Sequence, residues 1–119
     1  MNKMARKQES KLEILLVFSK CDLRVGKIIS CIPIAESEVM YQLLVDIGED
    51  QPRLIATSYN GKISIEEMTK GLIVVFINIK PKKILDLKSN GMILGANTPG
   101  KTIVELIRPP DGSIIGERV

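Results

Sequence analysis

The chain has 119 residues, 45% of them hydrophobic and 26% charged, which sets it apart from disordered and membrane-embedded chains and suffices for one core but not two. The net charge is only +3, and histidine is absent, which removes the usual general base and the commonest zinc ligand and so rules out histidine-dependent catalysis. Residues 1–21 carry five basic and two acidic side chains, leaving residues 22–119 neutral in sum, so a polyanion site would have to come from a local cluster.

Residues 1–20 form a basic, amphipathic N-terminal segment, helical or extended, with Leu12, Leu15, Leu16 and Ser19 spaced by threes and fours. Its apolar run, Ile14–Phe18, falls short of the roughly 7–15 residues of a secretory signal, and no stretch reaches the length of a membrane span. A cytoplasmic location without membrane contact is expected. Cys21 and Cys31 stand ten residues apart without a CxxC pattern, so they read as small core hydrophobes rather than a metal or redox pair.

From residue 21 to 119 the period changes to that of strands. Asp22–Ile34 predicts one long strand with a bulge at Gly26, after which Ile28, Ser30, Ile32 and Ile34 continue on one face. Tyr41, Leu43, Val45 and Ile47 alternate with polar or outward positions in a second strand, and Arg53–Thr57 is a third. Ser64-Ile65-Glu66-Glu67 is a capping box that starts a short helix ending near Gly71. The unbroken apolar run Leu72–Ile77 predicts a central strand buried on both sides. A basic loop over 78–90 follows, then strands over Met92–Ala96 and Thr102–Ile107 around a Pro99-Gly100 turn, and Pro109, Pro110 and Gly112 end the last strand. This order predicts an all-β OB-fold: a five-stranded barrel with a helix between strands three and four, open to ligands on one face.

Aromatic side chains are few, and Phe76 lies inside the buried run, so a base-stacking platform has little to stand on. A folded polyanion held by its phosphates fits better. The loop 78–90 offers Lys80, Lys82, Lys83 and Lys88 against Asp86 alone, with Pro81 stiffening the turn. Read without a relative, such a run is a solvated turn on a barrel rim. Asn78 either bonds a ribose or phosphate or caps its own loop, and Ser89 either donates to a phosphate or precedes a tight Asn90-Gly91 turn. Met92 is expected in the core, and Arg24 in an ion pair with a nearby acid. No phosphate-binding glycine loop, nucleophile elbow or metal cluster is present, so no catalytic residue, metal or cofactor is expected.

Asn78-Ile79-Lys80-Pro81-Lys82-Lys83 followed by Ser89-Asn90-Gly91-Met92 resembles the N-[LI]-K-P-x-K…S-x-G-M pattern of the tRNA-binding domain family. That family comprises free-standing tRNA-binding proteins, the C-terminal appendix of many methionyl-tRNA synthetases, and cofactors of the endothelial monocyte-activating polypeptide type. Asp22-Leu23-Arg24-Val25-Gly26-Lys27-Ile28 is similar to the family's opening, Tyr41 and Val45-Asp46-Ile47-Gly48 to its second strand, and Pro109-Pro110-Asp111-Gly112-Ser113 through Val119 to its closing turn. Residues 32–41 and 56–59 depart from the pattern, and no site residue is carried over there.

The resemblance implies a non-catalytic module that binds tRNA by shape and backbone through Asn78, Lys80, Lys82, Lys83, Lys88 and Ser89. It implies an aminoacyl-tRNA synthetase as a further partner. It also implies a two-fold homodimer; the apolar character of residues 12–18 places them and the closing turn at or near that interface, or else the segment packs back onto its own barrel as a lid. A bacterial export chaperone of the same fold, which lacks the lysine pattern and binds unfolded polypeptide, is the alternative.

Overall fold

The computed structural model describes residues 19–97 and 104–119. Of the predicted N-terminal segment only Ser19 and Lys20 fall within it, so its helix and the Pro99-Gly100 turn lie outside the described residues.

β1 (Leu23–Pro33) serves two neighbours in turn. Up to Gly26 it pairs with β4 (Ile73–Phe76), and from Lys27 onward with β2 (Tyr41–Asp46). Gly26 marks the crossing: a Cβ there would stand 2.9 Å from Val75 Cγ2 and 3.2 Å from the Asp46 carbonyl oxygen, so only bare backbone fits. The bulge expected at Gly26 lies instead between Ile28 and Ser30. An extra residue there reverses the pleat, turning Ile29 and Ile32 out to solvent and Cys31 towards the core.

Tyr41, Leu43, Val45 and Ile47 are all buried, as the alternation predicts. β3 (Arg53–Thr57) pairs antiparallel with β2, and β7 (Met92–Ile93) with β4, giving a five-stranded antiparallel sheet in the order β3-β2-β1-β4-β7. The sheet nearly closes where β3 meets residues 89 and 90. The Asn90 amide donates to the Leu54 carbonyl at 2.8 Å, and the Ala56 amide to Ser89 Oγ at 3.0 Å. Asn90-Gly91 is therefore a crossing rather than a hairpin turn. Gly91 has a φ of +142°, and a Cβ on it would meet Ile55 Cδ1 at 2.9 Å. The core fills the barrel with Leu43, Val45, Ile55, Ile73 and Val75, with Ile73–Val75 buried throughout, as the run 72–77 predicts.

α1 (Ile65–Thr69) lies between β3 and β4 and is too short to hold itself together. Ser64 Oγ accepts from the Glu67 amide at 3.2 Å, which is the predicted cap. The Glu67 carboxylate lies instead 4.0 Å from Arg108 Nη2. Two cations from other elements satisfy the carbonyls at and just beyond the helix's end: Lys27 donates to Thr69 and Gly71, and Arg108 to Glu67, Lys70 and Leu72. Met68, fully buried, pins the helix to the core. The strand expected over Met92–Ala96 is divided at Leu94 between β7 and β8 (Gly95–Asn97), and β8 pairs with β9 (Val104–Leu106) beyond the main sheet. The closing segment then laces back along β1, with bonds joining Val25 to Glu117 and Gly116 and joining Leu23 to Val119. This arrangement is an OB-fold barrel.

Candidate nucleic-acid interface

The lysine-rich segment expected as a loop is largely a hairpin. β5 (Lys82–Ile84) pairs with β6 (Leu87–Ser89) through a two-residue turn, Leu85-Asp86, whose φ angles are +47° and +65°. Positive φ at both central residues matches the twist of a two-residue hairpin, which normally recruits Asn-Gly; the Leu-Asp turn hides it from a sequence reading.

The ladder sorts the lysines onto two faces. Lys82 lies opposite Ser89, and Ile84 opposite Leu87, on the side turned to the barrel. Lys83 lies opposite Lys88 on the other side. Like charges facing each other across a ladder repel. Asp86, 3.5 Å from Lys83, offsets this little because both groups are exposed. Lys80, Lys82, Lys83 and Lys88 are all exposed to solvent. Such a cluster lowers its own repulsion by taking up an anion.

Between hairpin and barrel runs a groove of about 530 Å³, with Lys80 and Lys82 in one wall. Its surface is mostly apolar, from Tyr59, Ile79, Ile84 and Met92, while Thr57 and Ser89 are among the few polar residues lining it. Met92, expected in the core, is 47% exposed here, because the pleat of β7 turns the neighbouring Ile93 inward.

Two expected site residues spend their polar atoms on the fold. Asn78 Oδ1 accepts from the Asp22 amide and its Nδ2 donates to the Lys20 carbonyl, both at 2.7 Å, so the side chain ties the end of β4 to the chain entering β1. Ser89 is buried, and its Oγ holds the Ala56 amide. Both fix where the lysine segment leaves and rejoins the barrel. Arg24 makes the expected ion pair: Nε and Nη2 donate to the two Asp22 carboxylate oxygens at 2.7 and 3.1 Å, which holds the Asp22 carboxyl below its ordinary range.

None of the three described aromatic residues, Tyr41, Tyr59 and Phe76, is exposed. Tyr41 hydroxyl donates to the Ile63 carbonyl at 2.8 Å, and burial raises the pKa of both tyrosines. Cys31 is half-buried and its thiol is pushed up to about 11 by desolvation, so it is a poor nucleophile near neutral pH. Sequence reasoning missed Thr57 and Tyr59, which lie in the stretch that departs from the family pattern, and nothing local to those residues marks them as groove-lining.

A family model described as "Putative tRNA binding domain" matches residues 23–118. The methionine–tRNA ligase of Methanocella arvoryzae is 39% identical over 94 residues, covering 79% of this chain and 14% of that protein. The chain thus spans a small part of the ligase's length. Among solved structures, a MetRS-related protein from Pyrococcus horikoshii superposes with a TM-score of 0.80 at 30% identity, covering 88% of this chain and 94% of that one. The CsaA chaperone protein from Picrophilus torridus superposes with a TM-score of 0.76 at 27% identity, covering 88% and 96%. With the lysine hairpin set on an OB barrel and the match running from the first strand to the closing lace, the chain belongs to the tRNA-binding domain family related to domains of aminoacyl-tRNA synthetases.

Proposed function

We propose that the protein is a non-catalytic tRNA-binding module that reads the shape and backbone of tRNA, acts in the cytoplasm as a trans-acting or complex-associated cofactor of an aminoacyl-tRNA synthetase, and works as a homodimer. The observation that carries this reading is the set of four exposed lysines held by a hairpin and its stiff approach, Lys80, Lys82, Lys83 and Lys88, on a domain of the tRNA-binding family. Asn78 and Ser89 belong to the same site as residues that anchor its two ends. The absence of an exposed aromatic among the described residues argues for contacts to phosphate and ribose over stacking on a broad surface. Similarity to a methionine–tRNA ligase and to a MetRS-related protein supports a synthetase as partner.

Binding should be similar for many tRNA species and fall steeply with salt. Lys80→Ala, Lys82→Ala, Lys83→Ala and Lys88→Ala should each flatten the slope of log affinity against log salt by roughly 0.7–0.9 where the lysine meets a phosphate. Filter binding across a salt series measures this, and four unchanged slopes would remove the site.

The likeness to a chaperone and the apolar groove favour one other reading, a protein that holds unfolded polypeptide. Under it, suppression of client aggregation persists in the presence of excess tRNA. Under the tRNA reading, suppression is weak and tRNA binding strong.

A further inference from the structure

We infer that the groove beside the hairpin is a pocket for one unpaired nucleotide of the bound RNA, its phosphates on Lys80 and Lys82 and its base against Met92, Tyr59 and the Thr57 hydroxyl. The inference rests on the tRNA-binding reading and adds to backbone recognition a subsite that senses whether a base is present.

The groove's volume of about 530 Å³ falls within the roughly 300–1,000 Å³ typical of small-ligand sites, and its walls are mostly apolar. Met40 and Met92 line it, and Met92 is half exposed. Methionine sulfur makes favourable contacts with aromatic rings, so two thioethers and a tyrosine give a flat π-system what the barrel lacks in exposed aromatic side chains. The two lysines on the rim give the occupant its charge: it carries an anion beside a flat apolar body, which describes a nucleotide within a strand.

Thr57 is the second, independent observation. It lines the groove, it is 8% exposed, and its Oγ1 is the one buried side-chain oxygen or nitrogen among the described residues with no hydrogen-bond partner. An unpaired buried hydroxyl is a standing cost that a polar edge entering the groove removes. Its Oγ1 is shielded from solvent in this rotamer, and a turn to another staggered χ1 well carries the hydroxyl to the groove floor.

The test uses the full chain and three short RNA probes: a duplex with one unpaired nucleotide, the same duplex with an abasic ribose at that position, and a fully paired duplex. The phosphate count is equal in the first two, so their affinity ratio reads the base alone. The wild-type protein should prefer the intact probe to the abasic one by about tenfold, in line with single-base contacts in other proteins. Thr57→Val keeps the side chain's shape, and should cut that ratio about fivefold while raising Tm, because it removes an unsatisfied hydroxyl. Met92→Ala, at an exposed position, should cut the ratio without a loss of Tm. Equal affinity for intact and abasic probes overturns the pocket and leaves the backbone reading standing. An unchanged ratio in Thr57→Val removes Thr57 from it. Failure of the protein to bind tRNA as well as all three probes overturns the tRNA-binding reading itself. Equal affinity for the intact and abasic probes, together with binding of an unfolded peptide rich in phenylalanine that Met92→Ala weakens, assigns the groove to polypeptide.

Discussion

At the residue scale, a few polar side chains divide the labour between holding the chain and meeting a ligand. Asn78 holds Asp22 and Lys20, which lie 56 and 58 positions before it, and Arg53 bridges Glu49, at 2.9 Å, to the Ile77 carbonyl at 2.6 Å. Such links carry no local signature, so a sequence reading sees an asparagine beside lysines and assigns it to the ligand. The ion pair of Arg24 was legible because its acid, Asp22, is two residues away on an extended chain. Asp22 and Glu49 share a consequence: hydrogen bonds from Arg24 and Arg53 lower their folded pKa values below the ordinary 3.8 and 4.5. A depressed folded pKa contributes stability that is complete above the unfolded value and is lost as pH falls through the folded one. Asp22→Asn and Glu49→Gln should therefore lower Tm at pH 7, and the gap to wild type should close as the pH is taken from about 4.5 towards 2. A gap that persists undiminished at pH 2 would assign the loss to packing rather than to charge.

At the element scale, the strands that bury alternate residues were readable and the hairpin that carries the lysines was not. β2 and β3 have a period of two and clear turn residues on either side, and β4 is apolar throughout because both its faces are covered. The position of the bulge in β1 escaped prediction because Ile28, Ile29 and Ile32 are equally apolar, leaving pairing geometry rather than composition to decide which of them face solvent. β5 and β6 have no buried face of their own except at Ser89, and their turn places Leu85 at a φ of +47°, a conformation that a side chain with a Cβ tolerates poorly. Leu85→Asn should stabilise the hairpin by about 1 kcal/mol, since asparagine adopts positive φ at lower cost. The measurement is amide hydrogen exchange of the cross-strand pairs between β5 and β6, which should slow relative to the barrel strands. Faster exchange would mean that the Leu85 side chain contributes more to the hairpin through packing than it costs in backbone strain.

At the scale of the whole molecule, the closing lace joins the end of the chain to the first half of β1 and leaves apolar side chains outside. Ile107, Ile114 and Val119 are 41%, 71% and 58% exposed, and Ile114 is the most exposed of the large hydrophobic residues described. Burying a fully exposed side chain of this kind contributes about 1.5–3 kcal/mol, and because these three are already partly covered, burying what remains exposed against a second copy would offset only part of the cost of association. The expected contribution from residues 12–18 lies outside the described residues, whereas the closing turn is exposed and available to the proposed interface. Pairing two copies would also put two lysine hairpins on one assembly, and a tRNA long enough to touch both would bind more tightly than either site alone. Sedimentation equilibrium at micromolar concentration should therefore find a dimer for the full chain and a monomer for Ile114→Glu, with tRNA affinity falling at least tenfold in the variant while its salt slope roughly halves. A full chain that sediments as a monomer defeats the dimer. A dimer that survives Ile114→Glu moves the interface away from the closing turn and leaves the N-terminal segment to supply it, which a chain lacking residues 1–19 would then show by dissociating.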